Sequence, residues 1–394
     1  MQASTPDTGA VLRRLADQLR AAGYTAESLF QRLGISSPDD IGPLNHTPAL
    51  ERLHNDHSTL ATLGKLFFLE APQPARQVAV ALTGTEALCR AGLLQRRGGE
   101  VSARLRVDPV GTQYFLGDRR FRRFERAALR LGGRDPVYPP SSDSLLLRAA
   151  IMPPTTTGSR MLDLCTGTGI QALQQAPAVA SVVGVDINPR AVALARYNAQ
   201  LNGIECEVRL GDGYAPVRGT QFDLITANPP FVSSPYAGGP SYHAGGAAGD
   251  RVLRRVIHGF ARHLRSGGRA FAVSHVGLRR DEMLADVATR WFRGFAGRAL
   301  VVVVEVGTPV DLAAAQALFA LDRGLAAYAA AVRRWLAYLR RHRIREVAAV
   351  LVAAEQRGRR TVDVVDARPR VLPLPLSAPP AQRIAEWLAQ PHST

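Results

Sequence analysis

Between residues 161 and 306, six short apolar runs rich in β-branched residues alternate with helical stretches. The runs are Met161 to Leu164, Ser181 to Asp186, Glu207 to Gly211, Phe222 to Ala227, Gly268 to Ser274 and Ala299 to Val306. Few folds accommodate that alternation. Runs with no polar face belong inside a parallel sheet covered by helices on both sides. The pattern therefore predicts an α/β fold with a doubly wound, Rossmann-like, seven-stranded sheet. A long helix over 324–341 and two strands, Val347 to Ala354 and Thr361 to Val365, follow it and read as a helix-hairpin extension.

The part that precedes the alternation has a different texture. Val11, Leu12, Leu15 and Leu19 keep helical spacing, and Glu27 to Leu33 and Leu60 to Leu69 form two further amphipathic stretches. Gln77 to Leu82 and Thr85 to Ala91 are short helices joined at Thr83-Gly84. After them, Leu93 to Arg96 and Val101 to Val107 flank Gly98-Gly99, a hairpin signal. That order matches a winged-helix module, and an ordinary α+β cap explains it equally well. The 394 residues accordingly divide into an N-terminal helical domain (1–130), a catalytic domain (131–310) and a C-terminal extension (311–394).

A formal charge of +16 points to an anionic partner. Coding bias explains why Lys65 is the single lysine, but not why arginines outnumber acids. Arg119, Arg120, Arg122, Arg123, Arg126, Arg130 and Arg134 crowd one stretch, and Arg333, Arg334, Arg340, Arg341, Arg343 and Arg345 another. The first is either a solvated helix face or a phosphate-contacting stripe, and the second adds to the case for a nucleic-acid acceptor. Cys89, Cys165 and Cys206 lie far apart, which offers no disulfide framework or CxxC zinc site and fits a reducing cytoplasm. The apolar runs are too short to span a bilayer. These features predict a soluble cytoplasmic protein with no membrane partner.

The motif Met161-Leu162-Asp163-Leu164 ends a strand, and Cys165-Thr166-Gly167-Thr168-Gly169-Ile170 turns from it into a helix. Small residues there let a ligand approach the backbone, and the helix start offers free N–H donors. The second strand ends at Asp186, placed to accept hydrogen bonds from a ribose diol. Gly167, Gly169, Ala172 and Asp186 also satisfy a dinucleotide fingerprint, so an NAD-dependent oxidoreductase stays open on these residues. Asp163 leans the other way, because a carboxylate suits an ammonium group and repels a pyrophosphate. That favours S-adenosyl-L-methionine.

The fourth strand runs into Asn228-Pro229-Pro230-Phe231. In a doubly wound sheet, ligands bind beyond the carboxyl ends of the strands. An amide or exocyclic base nitrogen is a weak nucleophile because its lone pair is delocalised. Acceptors gripping both N–H protons, the Asn228 side-chain oxygen and the Pro229 carbonyl, favour the pyramidal, nucleophilic form. The prolines fix the backbone, and Phe231 offers a flat face to a planar group.

On these residues the stretch from Asp135 to Ser274 resembles the class I S-adenosylmethionine-dependent methyltransferases with an Asn-Pro-Pro-aromatic motif: the release-factor and ribosomal-protein glutamine methyltransferases and the rRNA guanine-N2 methyltransferases. Asp163 to Gly169 is similar to the glutamine enzymes' version. Val137-Tyr138-Pro139-Pro140-Ser141-Ser142-Asp143-Ser144-Leu145 resembles their upstream segment, except that Ser142 stands where Glu is common. Gly245-Gly246 followed by Gly249-Asp250 resembles their Gly-Gly element. The resemblance implies a cofactor set of Asp143, Asp163, Thr166, Gly167, Thr168, Gly169, Ile170, Asp186, Ile187, Asp212, Gly213 and Asn228, with Asp212 on the adenine amine. It implies catalytic roles for Asn228, Pro229, Pro230 and Phe231. No cysteine follows a proline, as a cytosine-C5 enzyme requires, and no three cysteines cluster for a radical mechanism. The expected reaction is metal-free transfer of a methyl group to an NH2 nitrogen. The charge favours a nucleobase amine in rRNA, tRNA or DNA. The alternatives are a glutamine N5 on a release factor or ribosome-associated protein, and an inactive nucleic-acid-binding module.

Overall fold

The computed structural model describes residues 7–42, 44–120, 135–154, 156–236, 245–367 and 378–390. They fall into two units: Met1–Ser142 with Gly167–Gln174 and Asn188–Val208, and Asp143–Thr166 with Gln175–Ile187 and Arg209–Thr394.

The first unit begins with helices α1 (Thr8–Ala21), α2 (Ala26–Leu33), α3 (His46–Arg52) and α4 (Thr59–Leu63). Asp7 caps α1 by accepting from the Gly9 amide at 2.9 Å. Leu12, Leu15, Ala16 and Leu19, spaced for one helical face, are buried. Strand β1 (Gln73–Pro74), helices α5 (Ala75–Ala81) and α6 (Thr85–Arg90), and strands β2 (Leu94–Arg97) and β3 (Glu100–Ala103) follow. They end in a three-stranded sheet of order β1-β3-β2, so the expected helices and hairpin are present. A second hairpin pairs β4 (Arg106–Val110) with β5 (Gln113–Gly117).

Helix α7 (Ser142–Ala150) and strand β6 (Arg160–Leu164) lead into the wound region, followed by α8 (Ile170–Gln175), β7 (Ser181–Asp186), α9 (Pro189–Asn202), β8 (Glu207–Leu210) and β9 (Phe222–Ala227). Helix α9 starts at Pro189 under an Asn188 cap and stops at Gly203 in the left-handed conformation. Its Ala191, Leu194 and Leu201 share the hydrophobic core of Leu12, Leu15 and Leu19 in the first unit. That burial explains why the grouping differs from the expected division: α9 belongs with the N-terminal helices and not with a separate 131–310 domain.

The second unit continues with α10 (Arg251–His263), β10 (Leu264–Arg279), α11 (Leu284–Trp291), β11 (Arg298–Gly307), α12 (Pro309–Ala317), α13 (Leu325–Arg341), β12 (Ile344–Glu355), β13 (Thr361–Asp366) and α14 (Ala378–Ala389). Its sheet has the order β13-β11-β12-β10-β9-β6-β7-β8. β6 pairs in parallel with β7 on one side and β9 on the other, which makes its carboxyl end the switch point of the winding. The sheet is Rossmann-like, with eight strands where seven were expected. The two late strands do not form a hairpin: β12 runs antiparallel between β10 and β11, and β13 pairs in parallel with β11. Of the segment expected as an extension from residue 311, β12 lies inside the sheet. Among the described residues, no helix is long and apolar enough to cross a membrane.

The arginine stripe at 119–134 changes character where it is described. Arg119 is largely buried on Glu70, and Arg120 is ion-paired with Asp39 and donates to the Pro140 carbonyl at 2.8 Å. These two hold the first unit together and do not face phosphates. The remaining arginines of the stripe lie outside the described residues.

Candidate functional site

The loop leaving β6 is held by its own strand. Asp163, only 1% exposed, accepts from the Thr166 hydroxyl at 2.6 Å and, through its other oxygen, from the Thr226 hydroxyl at 2.7 Å. Thr226 sits directly beside Asp163 in the parallel β6–β9 register. The sequence points this carboxylate at a ligand ammonium; each of its oxygens also accepts one hydroxyl, from the loop or from the neighbouring strand, and keeps a further acceptor site. The Thr166 amide donates to the Val185 carbonyl at 3.1 Å, tying the turn to β7. Cys165 takes φ +55°, a conformation that costs a side-chain-bearing residue about 1–2 kcal/mol, so the turn is over-determined by its neighbours.

Asp186 closes β7, half-buried, and its carbonyl accepts from the Gly211 amide at 2.9 Å. Ile187 next to it is 58% exposed. Beyond β8, Asp212 is exposed and ion-paired with Arg255 of α10 at 2.7 Å. Gly213 follows at φ +56°, then Tyr214, stacked on His263 with centroids 4.3 Å apart and donating to the Val256 carbonyl at 2.8 Å. Burial first, and then the charges of Asp186, Asp163 and Asp212, push the Cys165 thiol far above its usual range. Asp186, Asp163 and Asp212 are thus the carboxylates gathered near Cys165, with Arg255 opposing them.

Gly167, Thr168, Gly169 and Ile170 belong to the first unit. There the Thr168 carbonyl accepts from Asn198 Nδ2 of α9 at 2.8 Å, and the same amide bonds the Leu116 backbone on β5. A Cβ on Gly169 would come within 3.3 Å of Ala195, so α9 packs against the bare turn.

At the end of β9, Asn228 donates through Nδ2 to the Ser144 hydroxyl of α7 at 3.3 Å. With that nitrogen committed, its Oδ1 is an acceptor. Pro229 is buried and Pro230 half-buried. Phe231 stacks on His275 of β10, with centroids 4.5 Å apart and planes 15° from parallel. His275 Nε2 lies 3.2 Å from Asp143 Oδ1. Burial alone would lower the His275 pKa, but the Asp143 hydrogen bond and charge, with Glu305, outweigh it and raise the value above that of ordinary imidazole.

The glycines at 245 and 249 have a steric explanation. A Cβ on Gly245 would fall 2.5 Å from the Phe231 carbonyl carbon, and one on Gly249, at φ +80°, 2.4 Å from the His275 oxygen and 2.6 Å from the Phe231 oxygen. They admit the loop against the main chain of the Phe231–His275 pair. Within the second unit, then, the structure joins Asp143 to His275 and Phe231, and Asn228 to Ser144. Sequence reasoning missed Ser144, Thr226, Arg255 and His275. Ser144 lies inside the upstream segment singled out above; the other three carry no local signal.

A sequence profile described as "Methyltransferase small domain" matches residues 142–291. Another, described as a domain of unknown function (DUF7059), matches residues 21–104. A protein of Methanocaldococcus jannaschii named "Putative protein N5-glutamine methyltransferase" is 36% identical over 138 residues, 34% of this chain and 68% of that protein. The release factor glutamine methyltransferase of Thermodesulfovibrio yellowstonii is 33% identical over 141 residues, 34% of this chain, and the match spans 48% of that relative's length. The solved T. thermophilus 16S rRNA N2 G1207 methyltransferase, in complex with AdoMet and guanosine, is 18% identical. It covers 73% of this chain, which covers 64% of it, with a TM-score of 0.35.

Proposed function

The chain belongs to the class I S-adenosylmethionine-dependent methyltransferases, and we propose that its acceptor is the side-chain amide nitrogen of a glutamine in a protein. The observation that carries a planar NH2 acceptor is Asn228: Ser144 takes its Nδ2, which leaves Oδ1 to grip an acceptor N–H. The choice of glutamine is supported by relatives named glutamine methyltransferases. It replaces the nucleobase that net charge favoured, since charge reports an anionic partner and not the atom methylated. A release factor or ribosomal protein is the corresponding partner.

Three carboxylates near Cys165 suit a ligand carrying sulfonium and ammonium charges and oppose a pyrophosphate, which disfavours NAD. When bound, S-adenosylmethionine supplies an electrophilic methyl group. In the second unit, Asp186 would hold the ribose diol and Asp212, released from Arg255, the adenine amine. Asn228 Oδ1 and the Pro229 carbonyl would accept the two N–H protons, drawing the nitrogen lone pair out of conjugation. Phe231, braced by His275, would stack on the amide plane. These contacts would keep the nitrogen lone pair facing that methyl group while the Asn228 and Pro229 oxygens hold its N–H protons.

Methyl-labelled S-adenosylmethionine and a cell extract test the reading. Protease should release the label, and hydrolysis of the labelled protein should yield N5-methylglutamine. Label released by nuclease would return the acceptor to the nucleobase class. Asn228→Ala should abolish transfer while leaving S-adenosylhomocysteine affinity within several-fold.

A further inference from the structure

Behind the loop that backs Phe231, the second unit has a half-open cavity of about 500 Å3 between α10, the end of β10 and the end of α11. Its walls bring together four guanidiniums, Arg254, Arg279, Arg290 and Arg293, with His258, against two carboxylates, Asp250 and Glu282. Both acids are engaged. Glu282 lies 2.9 Å from Arg290 and 3.5 Å from Arg279, and Asp250 accepts from the Trp291 indole at 3.0 Å. Arg254, Arg293 and His258 have no acidic partner among the described residues.

A guanidinium keeps its charge, and Arg254 and Arg293, exposed on the wall, can exchange water for an anion's oxygens. Planar forks match the paired oxygens of a phosphate, and the cavity falls within the volume range of ligand sites, larger than a lone ion requires. The floor connects to the acceptor motif: the Ala248 carbonyl accepts from the Gly277 amide at 2.7 Å, and the adjoining Gly249 abuts the Phe231 and His275 carbonyls.

We propose that this cavity is a phosphate-ester site, and that it takes a backbone phosphate of a polynucleotide strand accompanying the acceptor. The site stands on its own residues and not on the identity of the methylated atom, so either reading can fail without the other.

The test measures binding of a short fluorescein-labelled RNA and of tripolyphosphate to the full chain at several salt concentrations. The variants are Arg254→Gln/Arg293→Gln and Arg254→Glu/Arg293→Glu, with melting temperature and S-adenosylhomocysteine affinity as folding controls. The double Gln variant should weaken phosphate binding about tenfold and lower the log–log salt slope by roughly two, and the Glu variant should weaken it further. Loss for RNA supports a strand, and loss for tripolyphosphate alone places a free phosphate ester in the cavity. Unchanged affinity of both probes in folded variants overturns the site. So does equal competition by a polyglutamate peptide.

Discussion

Gly249→Ala tests whether the loop behind Phe231 sets the acceptor geometry. The residue sits at φ +80°, where alanine costs about 1–2 kcal/mol. Its Cβ would stand 2.4 Å from the His275 carbonyl oxygen and 2.6 Å from that of Phe231, against the 3.4 Å at which ordinary contact begins. Both obstacles are main-chain atoms, so no side chain can swing away and the loop must retreat by about 1 Å. Overpacking of that kind costs about 1–3 kcal/mol, giving about 2–5 kcal/mol in total, a large share of a typical folding free energy. A displacement of about 1 Å at a positioning group lowers turnover about a hundredfold. Differential scanning fluorimetry should show a lower melting temperature and a methyl-transfer assay the loss of turnover. Calorimetry with S-adenosylhomocysteine should show little change, because the added Cβ falls on the Phe231 and His275 main chain and not on Asp186 or Asp212. Wild-type turnover with an unchanged melting temperature would refute the steric argument.

Thr226→Val keeps shape but removes one donor to the buried Asp163 carboxylate, and should cost about 1–3 kcal/mol in denaturant unfolding; an unmoved midpoint would contradict the hydroxyl's role. Asp143→Asn removes the partner that raises the His275 pKa. The pair's stabilisation is complete below ordinary imidazole values and is lost as pH rises through the raised value. The variant should therefore lose that pH dependence and titrate His275 lower by NMR, and an unshifted resonance would dismiss the pair. Arg255→Ala frees Asp212 from an exposed ion pair worth about 0–1 kcal/mol, so S-adenosylhomocysteine should bind up to about fivefold tighter. Weaker binding would mean that Arg255 itself holds the ligand.

The wound strands were legible because an apolar β-branched run such as Phe222 to Ala227 carries its own signal, and the Asp186 and Asn228 positions follow from where such runs end. What periodicity lacks is an address. The 347–354 stretch reads correctly as a strand, yet nothing local says that it enters between β10 and β11 instead of turning back on β13. The same gap hid the site's supports. Thr226 matters to Asp163 only through the β6–β9 register, and His275 reaches Phe231 only because β10 lies beside β9. The arginine stripe misled for a related reason: a guanidinium in a sequence looks solvated until its acid is found, and Arg120 finds Asp39 from 81 positions away.

The insertion of β12 bears on how the chain leaves the ribosome. β11 touches only β12 and β13 in the sheet, and both are made after it. β10 likewise waits for β12 to cover one of its edges. While α12 and α13 are being synthesised, the valine-rich β11 has no hydrogen-bonded neighbour and β10 offers an open edge, the condition under which nascent strands pair with the wrong chain. The sheet that presents Asn228 and His275 can close only when residues 344–366 have emerged. A chain stopped before Ile344 would therefore contain every sequence motif of the site and still be prone to aggregate.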